Sequence, residues 1–591
     1  MSAEKRALSW DRFAAADPGL LRLIAALRAV LGLSLTLAAL TALRQPPTMV
    51  LAGGFTTVVT SLGISALRPR RQWNTLSAGL PVTVVAMAAG ALLAPCPVAA
   101  KGAFLLLIFA AVYVRRFERW GQDLGIFAFM AFFLTQFARI RPHQLPQLAA
   151  VLAIAFAAAA LTRFGLVRAP ASATLGRLRT AFDRRRDTVL RGTAKLPTTG
   201  RAARAARRKL ERDLDRLHDG ALLIQDFVRE GAPARPRAGR ASRPGPESAE
   251  LDRVIGAEAH AQRLAAIALR RVGDEARTPA DRPARPARRH GRDRASRRPA
   301  TVRFAGPRRR TTRQAFQVTA AAALATLGGQ LLSPRLWYWA VATAWVVHIN
   351  AEHTGDILLQ SGRRLIGTIA GVLFGYGLAL STAGHPSWAV AFLLACVFGM
   401  FYTPAGRYWA VTFFITGSLS MVLQLLHTFS PELLALRIQE TALGAVCGIL
   451  AAVLVVPTSL RNACDDRLRE FLAALNRLVR DVPDPKPVPR TNAEVAALDQ
   501  ALEAFRRAVH PLGHPLNPRR AERARARHLL EVVEAAASHA RNLATRDGRA
   551  TPPPAGGDAG SVRPTDTSRS PVPEFPTAPN APAAAARSQP F

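Results

Sequence analysis

Two blocks of six apolar stretches, parted by a long Arg-rich polar segment, constrain this chain more than any other feature. The first block runs from about Leu23 to Val167 and the second from about Gln314 to Val456. Hydrocarbon offers no hydrogen bonds, so a buried stretch must pair its own backbone, and a helix of roughly 20 residues does so across a bilayer. The stretches fall near 23–43, 48–67, 75–94, 98–114, 121–138 and 145–167, then 314–333, 336–350, 365–383, 388–403, 408–427 and 439–456. The chain reads as an all-α membrane protein.

Charge gives the direction. Hydrophobic residues are 49% of the chain and charged ones 20%, and the formal net charge is +39. That mixture demands segregation, with most of the positive charge in 168–313 and after Pro457. Loops after even-numbered spans carry Arg68, Arg70 and Arg71, then Arg115, Arg116 and Arg119, then the basic segment, then Arg363, Arg364 and Arg407. Loops after odd-numbered spans carry Arg44, Lys101, Arg139, Arg141, Arg335 and Arg437. The excess places both termini and the central segment in the cytoplasm, with Trp337, Tyr338 and Trp339 at the outer interface. The opening MSAEKRALSWDRF lacks the short apolar core of a cleavable signal, so Leu23 onward reads as a retained first helix.

The halves share a pattern. Arg71, Thr75 and Ala78 open the third span as Arg364, Thr368 and Gly371 open the ninth. Tyr113 and Trp120 match Tyr402 and Trp409, and Arg28 matches Arg313. Six spans per half leave the copies parallel, as for repeats related by an axis along the membrane normal. The seam between them is the expected pathway.

Each block is followed by polar helical sequence. Leu210, Leu214, Leu217, Ala221, Ile224 and Val228 make one stripe, and Leu251, Val254, Ile255, Leu264, Ile267 and Val272 a second. After the twelfth span, stripes recur at Leu468–Val479, Val495–Val509 and Leu529–Val533. Between Arg282 and Arg313 stand thirteen Arg and one acid, Asp293, with several prolines, the composition of a disordered tether. The domains expected are a cytoplasmic N-terminus (1–22), a first six-helix transmembrane repeat (23–168), a cytoplasmic helical module (169–275), a disordered linker (276–312), a second transmembrane repeat (313–457), a second helical module (458–546) and a disordered tail (547–591).

Several motifs resemble the fusaric acid resistance protein-like family of aromatic acid exporters. They are Arg313-Gln-Ala-Phe-Gln, the Leu-Trp-Tyr-Trp-Ala run at 336–340, Arg364 with Thr368 and Gly371, and Arg437-Ile-Gln-Glu440-Thr441-Ala-Leu-Gly444. The likeness is best over about 313–460 and weaker in the first half, and the plant aluminium-activated malate transporters look like distant relatives. It implies export of small, aromatic or other, organic anions driven by the proton gradient, with a passive organic-anion channel as the alternative. A third reading, from another class, is a membrane-anchored scaffold that binds anionic lipid or nucleic acid through the Arg-rich linker. Its Arg are not interleaved with aromatics, so no specific nucleic acid is expected. The Ala- and Arg-rich composition points to a GC-rich bacterium, hence a multi-pass protein of the plasma (inner) membrane. A homo-oligomer is compatible with this layout, and anionic headgroups would attract its basic face.

An anion in hydrocarbon needs fixed positive charge or hydrogen-bond donors in place of water, and the planar fork of Arg suits a carboxylate. The substrate-binding candidates are Arg28, Arg71, Arg313, Arg363 and Arg364, with Thr75 and Thr368 one turn deeper than Arg71 and Arg364. Arg at these ends also answers to orientation alone. His348, Glu352 and Asp356 are the proton-coupling candidates, a cluster whose other reading is a helix end entering water. Glu440, three residues after Arg437, is expected to form an intrahelical ion pair. Phe104, Phe109, Phe127, Phe129, Phe132, Phe133, Phe413 and Phe414 read first as packing residues and only second as a lining for aromatic cargo. Cys96, Cys396, Cys447 and Cys464 have neither disulfide nor metal spacing. The chain holds no Gly-rich phosphate loop, nucleophile elbow or metal motif, so neither enzyme chemistry nor a cofactor is expected.

Overall fold

Proline sets several helix starts. It stands at the first position of α2 (Pro47–Gly63), α3 (Pro69–Leu92), α4 (Pro97–Tyr113), α13 (Pro386–Tyr402) and α15 (Pro431–Leu454). There its missing N–H is no loss and its fixed φ is helical already. The remaining apolar helices are α1 (Leu21–Ala42), α5 (Glu118–Ala138), α6 (Leu145–Ala160, continuing as a π-turn over Leu161–Leu166), α10 (Pro307–Leu332), α11 (Tyr338–Ile349), α12 (Thr354–Ser381) and α14 (Tyr408–Leu425). The polar helices are α7 (Ala171–Ala194), α8 (Gly200–Gly231), α9 (Pro246–Glu275), α16 (Leu460–Arg480), α17 (Asn492–Gly513) and α18 (Arg520–Asp547). The computed structural model describes residues 17–64, 66–197, 200–231, 246–275, 307–334, 336–349, 351, 354–404, 406–455, 460–480, 492–513 and 520–547. The expected linker lies largely, and the tail almost wholly, outside them.

Among the described residues all regular structure is helical, and eight helices are long and apolar enough to cross a membrane. The chain is thus a multi-pass, all-helical membrane protein. The other four apolar helices are short or charged. At 12 residues α11 extends only about 18 Å, less than the ~30 Å of a hydrocarbon core. Two helices begin well before the apolar runs that announce them. The start of α12 is Thr354 rather than 365, and that of α15 is Pro431 rather than 439. Ser430 accepts the Leu433 N–H at 3.3 Å and caps α15, so Arg437 lies inside a helix and not in a loop.

Within the first block α1 packs on α2 and α6, α2 on α6, α3 on α5 and α6, and α4 on α5. In the second, α10 packs on α11 and α15, α11 on α15, α12 on α14 and α15, and α13 on α14. The blocks touch reciprocally: α1 lies on α13, and α4 lies on α10. Both contacts are apolar. Ala29 and Leu33 meet Ala389, Leu393 and Val397 at one, while Phe104, Phe129 and Phe132 meet Ala321, Ala322, Ala325 and Trp337 at the other. The pathway expected at the seam between the blocks finds aromatic rings where α4 meets α10. Phe104 stacks on Phe129 and Phe132, and Phe129 on Trp345 at 3.9 Å between ring centroids. Trp337 and Tyr338 belong to this cluster and are buried.

The polar helices form two three-helix units that dock together. Helices α7, α8 and α9 enclose Leu178, Phe182, Leu217, Ile224, Phe227 and Val254. The sequence stripes reveal α8 and α9 but not α7, whose few apolar residues are scattered among Arg. Helices α16, α17 and α18 enclose Phe471, Leu498, Leu502, Phe505 and Val533, together with Leu251 and Ile255 of α9. Across the join, Gln225 donates to Asp499 at 3.1 Å and Arg229 donates to Gln500. Inside the first unit, the buried His218 and Glu258 stand 2.6 Å apart. Burial pushes the Cys464 thiol of α16 up to about 11. The first unit also grips the membrane block: Glu230 accepts the backbone N–H groups of Leu67 and Arg68, and the Arg68 guanidinium lies 4.5 Å over the Phe227 ring.

Glycines decide the closest approach. A Cβ at Gly367 or Gly371 of α12 would stand 2.2 Å from the Trp409 carbonyl oxygen or 2.7 Å from that of Phe413, whereas one at Gly377 would meet nothing within 4 Å. Gly371→Leu is expected to destabilise the fold by about 1–3 kcal/mol or to abolish a monodisperse detergent-solubilised species. Gly377→Leu is expected to match the parent, and thermal melts followed by size-exclusion chromatography compare the two.

Candidate functional site

Helix α12 carries Ser361, Arg364 and Thr368 on one stripe, at spacings of three and four residues, and all three are buried. Helix α14 faces them and supplies Tyr408, whose hydroxyl accepts Arg364 Nη1 at 3.0 Å. Arg364 Nε, Ser361 Oγ and Thr368 Oγ1 have no hydrogen-bond partner.

Helix α15 carries Arg437 and Glu440, at 6% and 1% exposure. The Arg437 guanidinium lies 4.0 Å over the ring of Trp339 on α11, a cation–π contact. Its Nε and Nη1 are unpartnered, as is Glu440 Oε1. No ion pair joins Arg437 to Glu440 among the described residues, so the expected intrahelical bridge is not formed. The indole face of Trp339 takes the guanidinium instead. The charges still feel one another: Arg364 acts on Arg437, and Glu440 on Arg437 and on Tyr338. Arg364 of α12 and Arg437 of α15 therefore belong to one electrostatic cluster, reached from sequence stretches about seventy residues apart.

One turn further along α15, a Cβ at Gly444 would collide with the Ala340 carbonyl and the Thr343 side chain of α11. At Gly448 it would meet His348. Thr343 Oγ1, Trp345 Nε1 and His348 Nε2 are also buried without partners, while His348 Nδ1 is 2.7 Å from the Ala344 carbonyl. Nine unpartnered polar atoms from eight residues thus lie on α11, α12 and α15, which pack on one another. Buried polar atoms in native proteins are nearly always satisfied, so such a concentration marks a place built to receive polar matter. The first block has nothing comparable. Among the described residues of α1–α6 no buried side-chain nitrogen or oxygen lacks a partner. Its threonines return to carbonyls of their own helices, and Thr36 meets Thr57 at 2.8 Å.

The structure places the sequence candidates unequally. It brings Arg364 and Thr368 into the cluster. Arg71, Arg313 and Arg363 are exposed, and Thr75 is buried in α3. Arg28 Nε and Nη2 donate to the Val167 carbonyl at 3.1 and 3.0 Å, closing the end of the π-turn. Asp356 sits in the first turn of α12, where an acid suits the helix dipole. His348 is buried in the cluster, and Glu352 lies outside the described residues. Sequence reasoning missed Arg437 as a site residue, and missed Arg163 and Asp123, two buried charges near Arg28 in the first block. The Ser-Pro pair before Arg437 was the available signal for the first. A cavity of about 730 Å³ opens elsewhere, between α7 and α8 beside Asp17, with Arg177, Arg184, Arg185, Arg191 and Arg216 among its lining.

Residues 320–451 match the model of the fusaric acid resistance protein-like family. The match falls within the second apolar block, which holds the unpartnered cluster. Neither the curated proteins nor the solved structures searched contain a match.

Arg28→Ala removes two charged donors from the Val167 carbonyl and is expected to cost about 1–3 kcal/mol of stability. Calorimetric melting of the solubilised chain checks this.

Proposed function

We propose that the chain is a membrane transporter that exports small organic carboxylates, aromatic ones among them, through its second apolar block. One observation carries the reading: two buried guanidinium groups and the unpartnered hydroxyl and ring atoms lie on three helices, α11, α12 and α15, that pack on one another. A carboxylate there would find a bidentate fork and hydroxyl donors in place of water. A transporter role agrees with the family of the matched domain.

The two blocks are proposed to be parallel copies of one six-helix unit. The reading is supported by six helix pairings that recur in both and by the reciprocal contacts of α1 with α13 and α4 with α10. The first copy then serves as scaffold, since Leu148 and Val151, at the positions on α6 matching Arg437 and Glu440, are apolar and buried. Both termini and the polar helices are assigned to the cytoplasmic side of a bacterial plasma membrane, where anionic headgroups attract the basic units.

Efflux from loaded proteoliposomes tests the transport reading. Arg364→Ala is expected to lower the rate roughly ten- to hundredfold, as for loss of a charge-assisted contact, with protein level and insertion unchanged. The exposed Arg71→Ala is expected to stay near the parent, and equal rates for both would remove Arg364 from the site.

Orientation has its own test. Cys96 is exposed in the loop between α3 and α4, and Cys396, Cys447 and Cys464 are buried. A membrane-impermeant maleimide added to intact cells is expected to label Cys96 alone, and labelling only after lysis would reverse the assigned topology.

A further inference from the structure

The transport reading leaves open why a carboxylate, Glu440, is buried one turn from the guanidinium that would hold the cargo. Residues three apart on a helix face one another, so Glu440 can reach Arg437. In the structure it does not: Arg437 lies over Trp339 with Nε and Nη1 unpartnered, and Glu440 Oε1 is unpartnered too. An ion pair with one partner turned away is the costly state of a buried bridge. Two arrangements relieve it. In one, ionised Glu440 swings onto Arg437. In the other, an incoming carboxylate takes that place and Glu440 becomes neutral.

Resting on the transport reading above, we infer that Glu440 is a resident carboxylate that competes with the carried carboxylate for Arg437, so that one proton is taken up for each anion bound. The step balances: ionised Glu440, one proton from water and one cargo carboxylate give neutral Glu440 and a carboxylate held by Arg437. The charge of the cluster is the same before and after. Arg364 and Arg437 are opposed by one carboxylate in both states, so binding adds no uncompensated charge to the apolar interior.

Among the described residues, the groups facing Glu440 are few. They are Arg437 on α15 itself, Tyr338 and, two turns along, His348 on α11, and Arg364 of α12 acting through Arg437. Arg139, at the end of α5, acts on Tyr338. From α10, which also packs on α15, the side chain that reaches it is neutral: Gln317 donates to the Ala452 carbonyl at 3.2 Å. Of these, only Glu440 and His348 change charge without leaving the ordinary pH range, which makes them the pair to separate.

Because a proton enters with the anion, binding strengthens as pH falls. The affinity changes by up to about tenfold per pH unit where Glu440 is ionised in the empty site. The test uses the full chain in detergent, benzoate as the probe, and calorimetry at pH 6 and pH 8 in two buffers of different ionisation heat. The wild type is expected to bind about tenfold or more tightly at pH 6 and to take up close to one proton. Glu440→Gln is expected to bind equally at both pH values, His348→Gln to keep the wild-type slope, and Arg437→Gln to bind at neither. Should Glu440→Gln not fold, Glu440→Met and the wild-type proton count carry the same decision. A Glu440 variant that keeps the slope, a slope abolished by His348→Gln instead, or no proton uptake overturns the inference while leaving the transport reading intact. A wild type that binds benzoate at neither pH, or binds its methyl ester equally well, overturns both.

Discussion

The free energy of holding charge in a hydrocarbon slab governs this molecule. Arg364 and Arg437 lie inside apolar helices, where an isolated cation is held only if something replaces its water. The Tyr408 hydroxyl, the Trp339 ring and the field of Glu440 do part of that. They leave three guanidinium nitrogens without acceptors. Everything around the cluster serves to keep it assembled. Gly367 and Gly371 let α14 reach α12, Gly444 lets α15 reach α11, and Gln317 ties α10 to α15.

The contrast between the halves follows from the same constraint. In the first block Thr36, Thr57 and Thr83 turn their hydroxyls back to carbonyls of their own helices, and Leu148 and Val151 of α6 are apolar and buried. The aromatic cluster of Phe104, Phe129, Phe132 and Trp345 packs the first block against the second, so the two halves share one apolar wall. Gathering the polar atoms within one block, rather than between blocks, removes the need for water along that wall.

The fold was legible wherever periodicity or run length carries it. Twelve apolar runs announce twelve helices, and the stripes around Leu210 and Phe505 announce the polar ones. What stayed hidden lay at polar helix starts. The first turns of α12 and α15 hold Asp356, Arg363, Arg364, Glu432 and Arg437, which hydropathy assigns to loops. Capping by Ser430 and Pro431 overrides that reading and carries Arg437 two turns into the protein. Of the candidate site, Arg364 and Thr368 were visible through their spacing and their echo in Arg71 and Thr75. Arg437 and Glu440 could be read as a self-contained pair until the Trp339 ring is seen to take one of them. Arg28 looked like a ligand-gathering cation, and only the tertiary contact with Val167 reveals a helix stop.

The grip of Glu230 and Phe227 on the turn at Leu67 and Arg68 has a mechanical consequence. That turn joins two rods of the first block, and α8, which ends at it, is cross-linked through Gln225 and Asp499 to the unit that follows the second block. The polar helices thus form a yoke fastened to the first sextet by these contacts and to the second by the chain itself. Any rocking of one sextet against the other pulls on this yoke.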